Sequence, residues 1–222
     1  MTERRAKRAL FDAFAVIGKA VSSGRRIEIL DILANGDRSV EALSVQLELS
    51  VANTSQHLQV LRRAGLVSSQ RAGTSVIYSL ATAEVFGFVR ALREVAAARV
   101  TGIGDLTTAY LGRSDPEPSI SRQELSELIA SGVEPLVLDI RPREEYLAGH
   151  IPEATSVPLE ELPTAIRHLP KDREVIAYCR GPYCVYSRAA VALLRRRGFR
   201  ARRLEDGLPE WGAEGRAIAR GP

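Results

Sequence analysis

Apolar residues in the first hundred positions recur at helical spacing. Leu10, Phe11, Phe14, Val16 and Ile17 define one amphipathic stretch, and Ile27, Ile29, Leu30, Ile32 and Leu33 a second. Such stripes face a core or another subunit. Asn35-Gly36-Asp37 interrupts the pattern, after which Ser39 is placed to cap a short helix with Val40, Leu43 and Leu47 inward. Glu48-Leu49-Ser50 then reads as a tight turn. Ser50 caps a further helix expected to bury Val51, Leu58 and Leu61, to end near Arg63-Ala64-Gly65, and to present Asn53, Ser55, Gln56, Gln59 and Arg62 on its other face. Residues 66–71 and 75–80 flank Ala72-Gly73-Thr74, the pattern of a hairpin with glycine at its turn. A last helix over 84–99 carries Val85, Phe88, Leu92 and Val95 along one stripe.

The pattern then changes. Residues 101–119 hold Gly102, Gly104, Gly112, Pro116 and Pro118, which suits a connection, although 106–111 has the makings of an ordered segment. Beyond it, residues 136–140 and 174–178 are short apolar runs typical of buried parallel strands, interleaved with helical stretches at about 121–131, 143–147, 160–167 and 185–197. This is α/β alternation. The expected division is a mainly helical domain over 1–100, a linker over 101–118 and an α/β domain with a central parallel sheet over 119–222.

Length agrees with two domains, since 222 residues exceed the common size of one. No apolar run approaches the ~20 residues that cross a bilayer, and the basic N-terminus lacks the apolar stretch of a secretory signal. A cytoplasmic protein without a membrane partner is expected. Net charge is +4, unevenly spread: residues 1–100 hold 14 Lys/Arg against 9 Asp/Glu, and residues 101–222 hold 17 against 18. No carboxylate occurs between Glu48 and Glu84, where Arg62, Arg63 and Arg71 lie, so a polyanion meets no repulsion there. The only cysteines are Cys179 and Cys184, too few for a disulfide scaffold or a four-thiolate zinc site.

Helix, tight turn, polar-faced helix and hairpin together can set one helix in the major groove and a wing on the flanking backbone. Gln and Asn pair with adenine edges and Arg with guanine, while Ser, Thr and Arg hold phosphates. Ser50-Val51-Ala52-Asn53-Thr54-Ser55-Gln56-His57-Leu58-Gln59-Val60-Leu61-Arg62-Arg63-Ala64-Gly65-Leu66-Val67 resembles the recognition helix and wing entry of the ArsR/SmtB family of dimeric winged-helix repressors, a similarity running from about Arg25 to Leu80. The resemblance implies a homodimer on double-stranded operator DNA. It places Ala52, Asn53, Ser55, Gln56 and Gln59 at base edges and Arg62 and Arg71 near phosphates, with His57 open between backbone contact and helix packing. Residues 39–43 lack the cysteines, and the final helix the histidines, through which many members bind metal. No metal site is expected.

The run 174–178 leads directly into Cys179-Arg180-Gly181-Pro182-Tyr183-Cys184, and a helix follows from about Val185. A thiol between a strand end and a helix N-terminus meets free amides and the positive end of the dipole, which favour thiolate. Cys179 is the candidate nucleophile. Arg180, Gly181, Pro182, Tyr183, Cys184 and Val185 are the candidate substrate cradle, with Arg180 and Arg188 as added positive potential; an inert buried cysteine is the alternative. This half resembles the rhodanese domain in three ordered motifs: residues 138–154 (LDIRPREEYLAGHIPEA), the cysteine loop, and residues 205–211 (EDGLPEW). The resemblance implies that Cys179 takes sulfane sulfur as a persulfide and passes it to a thiol acceptor. Asp139, Arg141, Glu145 and His150 are structural supports in this reading, and Trp211 packs the core.

Two departures stand out. The loop counts about one residue longer than a typical sulfurtransferase loop, as in the related phosphatase and arsenate-reductase branch, yet it lacks that branch's late arginine. Cys184, five positions after Cys179, is either a resolving thiol or an apolar filler. The fold class is therefore an N-terminal winged helix-turn-helix joined to a C-terminal rhodanese-like α/β domain. The expected function is a DNA-binding transcriptional regulator, a repressor, whose rhodanese-like domain senses or processes reactive sulfur through a cysteine persulfide. A sulfurtransferase with an autoregulatory DNA-binding domain, an oxyanion-responsive regulator and a catalytically idle second domain stay open. Neither half implies a cofactor.

Overall fold

The computed structural model describes residues 2–112 and 118–222, in two compact units, residues 1–95 and 96–222. Among the described residues no helix is long and apolar enough to cross a membrane.

In the first unit, α1 (Glu3–Ala20) and α2 (Gly24–Ala34) precede a short strand, β1 (Arg38–Ser39). Two helices follow, α3 (Val40–Gln46) and α4 (Val51–Arg63), each opened by a serine whose hydroxyl accepts an amide three residues on: Ser39 from Ala42 and Ser50 from Asn53. The turn between them places Glu48 at φ 53°, a left-handed conformation for a non-glycine residue. β2 (Val67–Ala72) and β3 (Ser75–Leu80) form the hairpin around the two-residue turn Gly73-Thr74, where Gly73 takes the positive φ (61°) that such turns demand. β1 pairs antiparallel with β3, giving the order β1-β3-β2. The core joins Ile29, Leu30 and Leu33 of α2, Leu43 of α3, Leu58 and Leu61 of α4, and Val85 and Val89 of α5 (Ala83–Arg99).

Two apolar expectations are corrected here. Val51 is 44% exposed; the first turn of α4 projects beyond the core, and Thr54 takes the buried position, its hydroxyl donating to Ser50 O. In α5 the core takes Val85, Phe86 and Val89, whereas Phe88 and Val95 are exposed; a strip that is apolar on more than one side hides which side faces inward. On α1, Leu10, Phe11, Phe14 and Val16 are all exposed, and only Ala20 is buried.

The second unit begins beyond Val95, and α6 (Ile103–Leu111) lies within the stretch read as a connection. Residues 113–117 of that stretch, including Pro116, lie outside the described residues. The elements β4 (Ser119–Ile120), α7 (Arg122–Ala130), β5 (Leu136–Asp139), α8 (Arg143–Ala148), β6 (Thr155–Ser156), α9 (Leu162–Ala165), β7 (Val175–Cys179), α10 (Val185–Arg196), β8 (Ala201–Gly207) and α11 (Leu208–Ala213) follow in order. The five strands are parallel, in the order β4-β8-β7-β5-β6. Alternation along the central strand β7 feeds two cores: Val175 and Ala177 join Leu138, Val191 and Leu194, while Ile176 and Tyr178 join Val137, Leu125 and Trp211. Trp211 is buried as expected, and its indole N–H donates to Ala217 O.

Candidate functional site

The residues expected to read DNA lie on α4 and the wing of the first unit. Ala52, Asn53, Gln56, Gln59, Arg62 and Arg71 are exposed and Ser55 is partly so, leaving this polar face open. Arg62 reaches across to the wing, donating to Ser69 Oγ at 3.3 Å, which ties the end of α4 to β2. His57 is half-buried.

In the second unit Cys179 is the last residue of β7, not the first of the loop, and is 1% exposed. The β7–β8 register shifts between Ala177 and Cys179, so that Cys179 pairs with Gly207. A bulge of this kind re-aims a strand end. The chain then turns through Arg180, Gly181, Pro182 and Tyr183, all half-buried, to Cys184, whose amide donates to Gly181 O at 3.1 Å. Cys184 is the N-cap of α10, and Val185 begins that helix with 37% exposure. Cys179 and Cys184 are joined as a disulfide with a Cα separation of 6.3 Å, within the ~4.4–6.8 Å span such a bridge requires.

Two contacts hold this loop, and a third supports the strand that leads into it. First, Arg180 gives its guanidinium to Glu145 of α8, Nη2 to Oε1 at 2.7 Å and Nε to both oxygens at 3.1 Å. Burial pulls the Arg180 guanidinium toward neutrality, but Glu145 outweighs it and raises its pKa above the usual arginine value. The side chain expected to lend free positive potential is thus engaged by a carboxylate. Second, Gly207 packs directly on the peptide between Arg180 and Gly181, where a β-carbon would overlap the Arg180 carbonyl carbon and the Gly181 nitrogen. Glu210, itself buried, accepts the Gly207 amide at 3.0 Å. Third, Asp139 sits beneath the strand ends: it accepts Arg141 Nη2 at 2.6 Å and the Tyr178 hydroxyl at 2.6 Å, while Arg141 Nη2 also donates to Gly149 O. Burial, then the Asp139 charge, pushes the Tyr178 phenol up, so it stays a donor.

Asp139, Arg141 and Glu145 therefore act as supports, as their positions in the upstream motif imply. His150 stacks on Tyr146 with ring centroids 3.8 Å apart and pairs with Ala219 of the C-terminal segment. The roles of Gly207 and Glu210 were not drawn from the sequence; the Gly-x-x-Glu spacing at a helix start was their available signal.

Residues 23–69 match the model described as bacterial regulatory protein, arsR family, and residues 121–214 match the rhodanese-like domain. The chain is 39% identical over 215 residues to the HTH-type transcriptional regulator Rv0324 of Mycobacterium tuberculosis, spanning 97% of this chain and 94% of that one. It is 34% identical over 100 residues to a sulfurtransferase of Allochromatium vinosum, covering 45% of this chain and 92% of the relative. Among solved structures it is similar to a homodimeric winged helix-turn-helix DNA-binding domain (fragment 1-100) from Mycobacterium bovis, with 37% identity, a TM-score of 0.42, and coverage of 45% of this chain and 91% of that one. The similarity to Rv0324 embraces both units in one continuous alignment, so the chain belongs to the arsR family of HTH-type transcriptional regulators, in a form that carries a rhodanese-like domain behind its winged helix.

Proposed function

We propose that this regulator is a repressor whose affinity for operator DNA is set by reactive sulfur arriving at Cys179. The observation that carries the reading is the juxtaposition of Cys179 and Cys184 across the loop at bridging distance. The Cys179 thiolate attacks the outer sulfur of a sulfane donor such as a polysulfide. A bond forms between Cys179 Sγ and that sulfur, and the donor's own sulfur–sulfur bond breaks, leaving the shortened donor as a thiolate. Cys184 thiolate then attacks Cys179 Sγ, forming the bridge and expelling the outer sulfur as hydrosulfide. Persulfide and bridge are the two modified states that can bias an equilibrium between DNA-binding and released forms. Ala52, Asn53, Ser55, Gln56 and Gln59 would read bases, with Arg62 and Arg71 on phosphates, as a homodimer on an inverted repeat.

The deciding experiment is a DNA-shift titration with and without polysulfide, on wild type and Cys179→Ser. The reading requires that polysulfide release wild-type protein and leave the variant bound. Equal responses would overturn it.

A second reading is favoured by the similarity of the second unit to a sulfurtransferase. There the persulfide is handed to an external thiol acceptor before Cys184 can resolve it, and the winged helix controls the enzyme's own synthesis. Turnover of thiosulfate to a thiol acceptor, lost in Cys179→Ser and indifferent to operator DNA, distinguishes this case.

A further inference from the structure

The two sulfurs of the bridge are unequal toward a reagent arriving from solvent. Cys179 is 1% exposed and ends a strand all of whose five residues are buried, with β5 on one side and β8 on the other. Cys184 is half-buried at the N-cap of α10, with the exposed Val185 and Tyr186 directly after it. Thiol–disulfide exchange requires a thiolate to attack one sulfur in line with the bond that breaks, so the attacker comes from the side opposite the leaving sulfur. In the bridged state Cys179, at 1% exposure, is the less accessible of the two residues, and the half-buried Cys184 is the more accessible.

The leaving-group preference alone runs the other way, since Cys184 is the N-cap of α10 and a thiol at a helix N-terminus has the lower pKa and leaves faster. Access decides the site of attack, because expulsion of Cys184 requires the attacker to end covalently attached to the enclosed Cys179 sulfur.

We infer that the bridged regulator is reset by a low-molecular-mass thiol that attacks Sγ of Cys184, making Cys184 the residue that carries a transient mixed disulfide. This rests on the proposed function, in which the bridge is the modified state. In the first step a bond forms between the thiol sulfur and Cys184 Sγ, while the Cys179–Cys184 bond breaks with its electron pair on Cys179, which departs as thiolate. In the second step another thiolate attacks the attached thiol's sulfur, forming the external disulfide and releasing Cys184 as thiolate. Two external thiols are oxidised by two electrons and the bridge is reduced by two, with protons exchanged with water. Cys184 is itself only partly exposed, as are Pro182 and Tyr183 before it, which suits a compact thiol better than a folded reductant. The order has a consequence for the cycle: Cys179, the sulfur acceptor, is freed first, and Cys184 is capped while fresh donor reloads Cys179.

The test uses the full chain oxidised to the bridge with diamide, which needs no sulfane sulfur. It is mixed with half an equivalent of glutathione and quenched early in mildly acidic N-ethylmaleimide. Trypsin cleaves at Arg173, Arg180 and Arg188, so residues 174–180 and 181–188 separate the two cysteines for mass spectrometry. Glutathione is expected on residues 181–188, with the maleimide on Cys179, in about tenfold excess over the reverse pattern. Glutathione mainly on residues 174–180, an even split, or a bridge that dithiothreitol opens and glutathione does not, overturns the inference. The underlying switch is read separately, by comparing operator affinity of the bridged and reduced protein; equal affinities sink the proposed function while the position of the adduct stays measurable.

Discussion

Glu145 and Arg180 lie 35 residues apart in the chain, yet the carboxylate on α8 receives both Nε and Nη2 of the guanidinium on the cysteine loop. Glu145 is 2% exposed in its side chain and Arg180 30%, so the pair is a partly screened anchor between the upstream motif and the reactive loop. Replacing Glu145 by Gln leaves an enclosed guanidinium without its countercharge. Breaking a fully buried pair costs about 3–5 kcal/mol, and the exposure of Arg180 lowers the expectation to about 1–3 kcal/mol. Urea unfolding of Glu145→Gln should show this loss, accompanied by slower closure of the Cys179–Cys184 bridge in a diamide time course. Unchanged bridging kinetics would mean that the pair serves stability alone.

Gly207 packs directly against the backbone of the loop. A β-carbon there overlaps backbone atoms of Arg180 and Gly181, which cannot rotate away as a side-chain tip can. Gly207→Ala should therefore push the loop off β8, at a cost of about 1–3 kcal/mol typical of overpacking. Bridge formation and persulfide loading at Cys179 should both fall, while operator binding by the reduced protein stays at the wild-type level. A variant that bridges at the wild-type rate would show that the loop's contact with Gly207 is dispensable.

How much of this was legible in sequence follows from where the determinants lie. β7 announces itself as a short apolar run, and the hairpin as two strands around Gly73, because those signals are local. β8 does not: Arg202, Arg203, Glu205 and Asp206 read as surface, although Arg202 pairs with Glu174 at 2.9 Å and Arg122 of α7 with Asp206 at 2.9 Å. Only Ala201 and Leu204 among its side chains are buried, too sparse a pattern to mark a strand. The stripe of α5 misleads for another reason. Phe88 and Val95 are as apolar as Phe86 and Val89, and periodicity says that a face is apolar without saying what it meets. Cys179 was legible as a candidate nucleophile, with Cys184 left between resolving thiol and apolar filler, and Glu145 as a support in the upstream motif, whereas Gly207 and Glu210 meet the loop only through tertiary packing.

Helix α7 contributes a pH dependence with a definite sign. The Ser121 amide donates to Glu124 at 2.9 Å and the Ser121 hydroxyl accepts the Glu124 amide at 3.1 Å, a reciprocal cap. The Ser121 backbone contact, then its hydroxyl, holds the Glu124 carboxyl below its usual 4.5. A carboxyl depressed on folding stabilises above its unfolded pKa and loses that contribution as pH falls through its folded value. The stability gap between wild type and Glu124→Ala should thus be full at neutral pH and shrink in acid. Chemical denaturation at the two extremes checks it, and a gap that widens in acid would contradict the assignment.

On the DNA-facing side, the residues of α4 and the wing divide by task. Gln56 and Asn53 are exposed on α4 and Arg71 on the wing, and in the proposed reading the first two meet base edges and the third a phosphate. Gln56→Ala should weaken operator binding by about 1–3 kcal/mol and relax sequence preference. Arg71→Ala should weaken all sequences alike and reduce the slope of log affinity against log salt by about one. Salt titrations on operator and scrambled DNA separate the two classes, and a wing arginine with an unchanged slope would remove it from the phosphate contacts.

The apolar face of α1 bears on whether two such readers act together. Phe11 and Phe14 are each 60% exposed and meet edge to face with centroids 5.8 Å apart, beside Leu10 at 52%. An uncovered cluster of this kind marks a protein–protein contact, and in a twofold dimer each substitution counts twice. Burying a phenylalanine stabilises by about 1.5–3 kcal/mol, so replacing it with a charge on both subunits should raise the dimer dissociation constant by about 10²–10⁴. Phe14→Glu is expected to sediment as a monomer at micromolar concentration with its secondary structure intact, and to lose affinity for an inverted repeat far more than for a half-site. Wild-type sedimentation by that variant would place the subunit contact elsewhere, with the exposed Phe88 and Val95 of α5 as the next face to charge.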